Sequence, residues 1–321
     1  MAAVWARCRA APPRYPGAVD ASRPEERAAL VALLRSAAAR PWPEITADVV
    51  EAGSAQAVWQ RQAPPALLTA PGEPDALADA AGQISHWASR GWRLTTILDS
   101  GYPARLREIH QAPPILFSRG TLTADDPAVC VVGSRQASER GLDTAARIAR
   151  ELTARGITVV AGLARGIDTA AHQATLDAGG RTVGVIATGI ARVYPPENHR
   201  LHEDIAARGL LLSQFWPEAP PQRHTFLMRN ATMSGYALAT VVVEAGEKSG
   251  ARVQARLAVQ HGRPVILTDA VVDRNDWAKA LAGRPGVHVA RRLRDVTDAV
   301  TQVMAERADV DAELQRLAPR R

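Results

Sequence analysis

The sequence predicts an α/β protein built on one doubly wound, mostly parallel sheet and preceded by a small helical N-terminal region. Two apolar runs, Ala128–Val132 and Ile157–Ala161, are rich in β-branched residues and too short for helices, as strands covered on both faces are. Between them Leu142, Ala145, Ile148, Ala149 and Leu152 form one helical stripe, stopped by Gly156 at the position after the C-cap. The alternation then continues through Thr182–Ala187, Leu210–Leu212, Thr240–Val243 and Pro264–Leu267, with helical patterns in between. Strands spaced by single helices argue for parallel pairing in one sheet.

In chain order, residues 1–20 carry Arg, Pro and Ala without periodicity and are expected to be loose. Short helices are expected around Leu30–Leu34, Ile45–Val50, Ala55–Gln62 and Leu77–Trp87. Five of the seven tryptophans fall before residue 93, and a small helical unit needs such side chains for its core, a use favoured over base stacking. Arg93–Leu98 and Ile115–Phe117 are expected as strands that extend the main sheet or sit beside it, with a helix through Leu106 and Ile109 between them. A helix enters from Tyr194-Pro195-Pro196-Glu197-Asn198 and ends at Gly209; Ser249 is placed to cap the helix that ends at Gly262. Trp277–Leu281, Val287–Val289 and a last helix with Val296, Val300, Val303 and Met304 on one face complete the pattern. The expected division is a helical region over 1–92, a sheet domain over 93–308 and a tail over 309–321.

The chain has 321 residues and a formal charge of +6, with Lys248 and Lys279 the only lysines among 39 basic residues. The charge is compatible with an anionic partner without requiring one. Cys8 and Cys130 are too few for a disulfide framework, which suggests a reducing cytoplasm. No apolar run approaches a membrane span, and Met1–Asp20 lacks the apolar core of a signal peptide.

Function is sought at the carboxyl ends of the strands, where doubly wound sheets bind ligands. Gly133-Ser134-Arg135, the Gly162–Asp168 loop with Arg165 and Gly166, Thr188-Gly189, Arg229-Asn230 and Lys248-Ser249-Gly250 all fall there. Glycine lets backbone approach an anion, free N–H groups point at it, and arginine adds a charged planar fork. An anion pocket is therefore expected. Asp168 is placed to cap a helix, and it and Glu244 are read as capping and bracing groups rather than as an acid/base pair. Gly133-Ser134-Arg135 lacks the third glycine of a dinucleotide fingerprint, and no Walker A sequence or nucleophile elbow occurs. His199 and His202 share a helix face without a third ligand, so a surface pair is expected and no metal.

Taken together, Val132–Arg135, Gly162–Asp168 with Ala170-Ala171-His172, Gly189 with Tyr194–Asn198, Phe226 with Arg229-Asn230, and Val242–Ala245 with Lys248–Gly250 resemble the DprA/Smf family of DNA-processing proteins. Asp99–Ile109 and Pro113–Gly120 resemble the family's lead-in, so the likeness covers about residues 93 to 268. The resemblance implies an extended Rossmann-like domain that binds single-stranded DNA without catalysis or cofactor, as a homodimer. It also implies help in loading the RecA recombinase during natural transformation. By the same resemblance the nucleic-acid-binding residues are Gly133, Ser134, Arg135, Gly162, Arg165, Gly166, Asp168, Thr188, Gly189, Asn198, Arg229, Asn230, Lys248, Ser249 and Gly250. The family commonly has Glu where Gln214 stands, a further Arg at Ala231 and Thr at Gln254, and a winged-helix domain is not expected after residue 308. The alternative is a nucleotide-binding member of the same superfamily, a sensor or a LOG-like phosphoribohydrolase. Against the hydrolase, Val243–Gly250 lacks the Gly-Gly-x-Gly-Thr loop of those enzymes.

Overall fold

The structure, a computed structural model, describes residues 23–36, 40–62 and 75–317. The stretch 1–20, expected to be loose, and Cys8 lie outside the described residues.

Nine strands form one sheet. They are β1 (Arg93–Thr96), β2 (Ile115–Gly120), β3 (Ala128–Val132), β4 (Thr158–Ala161), β5 (Thr182–Val185), β6 (Leu210–Ser213), β7 (Ala239–Val242), β8 (Val265–Thr268) and β9 (Val287–Ala290). Their order is β1-β2-β6-β5-β4-β3-β7-β8-β9. From β6 to β9 every pair is parallel, while β1–β2 and β2–β6 are antiparallel. The expected doubly wound sheet is thus present, and the lead-in strands extend it. β3 lies between β4 and β7, so the chain leaves the centre in both directions and a switch point falls between β3 and β7.

Side-chain alternation along each strand feeds two separate layers. Ala128, Cys130 and Val132 face one layer with Leu106, Met233, Tyr236, Ala255 and Trp277. That layer holds α5 (Ala104–Arg107), α9 (Arg223–Tyr236), α10 (Gly250–Gln260), α11 (Asp269–Arg274) and α12 (Asp276–Ala282). Val129 and Val131 face the other, with α6 (Glu139–Ala154), α7 (Ile167–Asp177) and α13 (Leu293–Leu317). Cys130 is fully enclosed, and burial pushes its thiol up to about 12. It is a packing residue and not a nucleophile.

The helical region contributes α1 (Pro24–Arg35), α2 (Trp42–Ala52), α3 (Ala55–Gln62) and α4 (Ala76–Ser89). Leu30, Ile45, Val58 and Trp87 join Phe117, Leu211 and Ile205 of α8 (His199–Arg208) in one cluster, so these helices cover the β1–β2–β6 end. Trp87 meets Phe117 edge-on at 4.9 Å and Trp216 at 5.8 Å. The tryptophans described here serve the core, as expected. Glu26 of α1 is buried and accepts from Ser54 Oγ at 2.7 Å and from the Ala55 N–H at 2.6 Å, fixing the start of α3.

Two elements differ from expectation. α11 follows β8 directly, in a stretch without an apolar period. The last helix runs past residue 308 into the stretch read as a tail, because Arg307 on Glu108 and Asp311 ties that part down.

Beneath the amino ends of the strands, the Asp126 carboxylate accepts from Thr158 Oγ1 at 2.5 Å, Tyr236 Oη at 2.8 Å and Arg181 Nε at 2.9 Å. Arg105 closes on the Asp126 carbonyl. Removing the carboxylate leaves two buried hydroxyls without that acceptor and takes the counter-charge from the half-buried Arg181, which keeps only the Thr121 carbonyl. Asp126→Ala is expected to lower unfolding free energy by about 3–5 kcal/mol, and Tyr236→Phe by about 1 kcal/mol, because two donors remain. Urea unfolding of both variants checks the order and the size.

Candidate nucleic-acid interface

The loops after β3 and β4 lie against each other. The Ile167 N–H donates to the Ser134 carbonyl at 3.2 Å, and Gly166, at φ +75°, packs on the Ser134 and Arg135 backbone. A side chain at 166 would meet both strain and those atoms. The loop after β7 joins them through the Ser134 N–H, which donates to the Glu244 carbonyl at 2.7 Å. The Glu244 carboxylate accepts from the Ser138 N–H at 2.9 Å and from its hydroxyl, while Ser138 caps α6 by accepting from Gly141 N. Glu244 is therefore a helix brace, as read from the sequence. Ser249 caps α10, accepting from the Ala251 N–H.

Beneath the β4 loop sits Arg229. It is 6% exposed, and its guanidinium occupies the space where a side chain at Gly162 would begin. Nη1 donates to the Val185 carbonyl at 3.2 Å. The sequence reading of Arg229 as an outward anion ligand is corrected here: Arg229 lies within α9 rather than in a loop at a strand end, on the face of that helix turned inward. Asp168 also departs from expectation. Gly166 is the N-cap of α7, and Asp168, the second residue of the helix and buried, reaches back to accept from the Gly162 N–H at 2.9 Å. Burial raises the Asp168 carboxyl above its ordinary range, and Arg229 with the Gly162 N–H opposes that rise. Burial likewise lowers the Arg229 guanidinium, and Asp168 holds it up. His172, under the same loops with Nδ1 2.7 Å from Thr182 Oγ1, is pushed down to about 3 by burial and is neutral.

The outward face is different in character. Arg135 and Arg165 stand on the same side, with Gly162, Tyr194 and Phe226 around a small cavity of about 40 Å³. The Arg135 guanidinium lies 5.2 Å from the Phe226 ring centre, and Tyr194 meets Phe226 edge-on at 5.8 Å. Tyr194 is 40% exposed, and Leu227 and Met228 extend the apolar strip along the first turns of α9. Arg165 Nε is 3.4 Å from Glu197. Asn198 fastens the loop from behind, donating to the Leu163 carbonyl at 2.9 Å and to Thr169 Oγ1 at 3.0 Å.

Gly133, Ser134, Arg135, Gly162, Arg165, Gly166, Asp168, Asn198 and Arg229 are thus brought into one constellation. Thr188 and Asn230 are buried, and Gly189 packs on the 216–219 turn through its N–H to the Ala219 carbonyl. Lys248, Ser249 and Gly250 stand beyond Glu244 with local contacts. Sequence reasoning did not place Tyr194 or Phe226 at the site; the signal was the run Tyr194–Asn198, whose contact with α9 requires the fold. The expected surface histidine pair is also corrected, since His202 is 2% exposed beside Glu203 while His199 is exposed. Among the described residues no group of three or more His, Cys, Asp or Glu could hold a metal.

These features define a doubly wound α/β protein with a glycine-floored, arginine- and aromatic-edged crevice at the carboxyl ends of β3 and β4. Residues 93–299 match the family described as DNA recombination-mediator protein A, and the chain belongs to that family. It is 36% identical over 185 residues to DNA processing protein DprA of Bacillus subtilis, covering 57% of this chain and 62% of that one. It is 40% identical over 173 residues to protein Smf of Synechocystis, covering 52% and 44%. The matches thus span about half to three fifths of these relatives' own lengths. The structure of DprA from Streptococcus pneumoniae superposes with TM-score 0.63 at 28% identity, over 86% of this chain and 95% of that one. A Helicobacter pylori DprA structure, described for its single-stranded DNA binding mode, shares the fold with TM-score 0.59 at 21% identity, over 67% of this chain and 96% of that one.

Two outcomes follow from the buried pair. Gly162→Ala displaces the Arg229 guanidinium and is expected to destabilise by about 1–3 kcal/mol, read by thermal or urea unfolding. The second concerns pH. A carboxyl whose folded pKa is raised leaves stability intact below its unfolded value and withdraws it as pH climbs through the folded value. Arg229→Ala removes the opposing cation, so its loss of melting temperature should be larger near pH 7 than near pH 4, and adding Asp168→Asn should remove that difference.

Proposed function

We propose that this chain is a non-catalytic single-stranded DNA-binding protein that takes the strand across the crevice between Arg135, Arg165 and the Tyr194–Phe226 pair. The observation that carries the reading is the placement of a guanidinium and two partly exposed rings at the mouth of a glycine loop. Phosphates need cations and free N–H groups, and unpaired bases need π-faces; both are offered within one ring contact of each other. A duplex hides its base faces and presents only phosphates. The cavity, about 40 Å³, is far smaller than the pockets that enclose small molecules, which favours a strand lying across its rim over an enclosed mononucleotide. Family membership and the printed description of the Helicobacter pylori relative support the same ligand.

No covalent step is assigned to the pocket, because Asp168 and Glu244 are both engaged in holding loops and helix ends. The family's description as a recombination mediator supports a further step, in which the bound strand is passed to a RecA-type recombinase during DNA uptake or repair. A homodimer and a cytoplasmic location complete the proposal. The buried, unpaired Cys130 is compatible with that location, and no described helix is long and apolar enough to cross a membrane.

Fluorescence anisotropy with matched single- and double-stranded oligonucleotides across a salt series tests the reading. Single strands should bind more tightly. With Arg135, Arg165 and Lys248 as exposed cations, the log–log salt slope should be about −2, reduced by about one unit or more in Arg135→Glu. Phe226→Ala and Tyr194→Ala should each lose about 1–3 kcal/mol of strand affinity with the salt slope retained. Equal affinity for both forms of DNA, or ring variants that bind like the parent chain, would place the DNA elsewhere.

A further inference from the structure

We propose that the cavity between α6 and α13, across Glu244 from the glycine pocket, is a second ligand site, for a phosphorylated molecule with an apolar body of the nucleotide class. The cavity has a volume of about 370 Å³ at the carboxyl ends of β7, β8 and β9, within the range of small-molecule sites. Its floor is apolar, formed by Ile148, Val243, Leu293 and Val296. Its rim is basic, with Arg140 and Arg147 from α6, Arg274 from α11, and Arg291 and Arg292 from the turn before α13.

The charges around this rim are not balanced. Asp143 lies 3.8 Å from Arg147, and Asp295 lies 3.6 Å from Arg292 while accepting the Arg291 and Arg292 N–H groups. Glu244 is held by Ser138, and Asp269 accepts the Ala270 N–H. Among the described residues Arg140, Arg274 and Arg291 make no side-chain hydrogen bond or ion pair, with only a longer-range attraction from Asp295 on Arg291. Three guanidiniums without partners around one cavity with apolar lining suit a ligand that carries phosphate at one end and an organic body at the other. The Thr144, Ser138 and Thr268 hydroxyls offer further polar contacts at the wall. The inference does not depend on where a strand crosses the glycine pocket. The same chemistry comes from a free nucleotide or from the phosphorylated end of a DNA strand.

The test uses the full chain, the combined variant Arg140→Gln/Arg274→Gln/Arg291→Gln, and Arg135→Glu as the variant of the other pocket. Titration calorimetry with ATP and with pyrophosphate is paired with anisotropy on oligonucleotides with and without a 5′-phosphate. Because the three arginines are exposed, the combined variant should melt like the parent chain. If the source is a free nucleotide, ATP affinity should fall about tenfold or more in the combined variant and persist in Arg135→Glu. If the source is a strand end, the combined variant should lose the preference for the 5′-phosphorylated oligonucleotide. Parent-like binding of ATP, pyrophosphate and both oligonucleotides by the combined variant would overturn the site. So would ATP binding that only Arg135→Glu removes.

Discussion

Arg229 and Asp168, both buried against Gly162, are the constraint on which the outward face of the crevice depends. Each is displaced from water, and each opposes the other's desolvation, so neither charge is tolerable alone at that depth. Gly162 is required because the guanidinium occupies its side-chain space. Asp168 then draws the Gly162 N–H inward, and the rest of the loop turns outward with Arg165 at its edge. His172, neutral on account of its burial, keeps a second cation away from Arg229. A loop stretched over an internal charge pair has little freedom. Its one arginine, Arg165, is consequently carried by a backbone fastened at Gly162 and at Gly166.

The strands of this frame were legible because burial on both faces forces uninterrupted β-branched runs, as at Ala128–Val132. Its carboxyl-edge loops were legible because only glycine suits the close approaches, as at Gly162 and Gly166. Depth was not legible. Arg229 and Arg135 occupy equivalent-looking places after apolar runs, yet one is enclosed by Val185 and Gly162 and the other stacks on a ring. His202 illustrates the same limit: its helix period matches that of His199, while burial is decided by how α8 packs on β2 and β6. Contacts between distant segments were equally hidden. Tyr194 and Phe226 share no local pattern, and the arginines around the α6–α13 cavity come from three separate stretches of chain.

Glu244 shows how a suggestive residue can be wholly structural. An acid at the end of a central strand, beside the switch point, invites an acid/base role. Here its carbonyl receives the β3 loop and its carboxylate covers the first turn of α6, where otherwise unpaired N–H groups favour a negative charge. Gly141 is matched to it, since a side chain there would collide with the carboxylate. The same residue fills the middle of the carboxyl edge and divides it into two unlike regions. On one side lies a shallow rim with rings and cations, suited to a chain that passes over it. On the other lies a cavity large enough to hold a small molecule, walled by α6 and α13. Any ligand that shifted α6 would pull on Ser138, Glu244 and the Ser134 peptide in turn, and the last of these carries Arg135. Linkage between the two regions would have to pass through that one peptide or through α6 itself, and by reciprocity it would act equally in both directions.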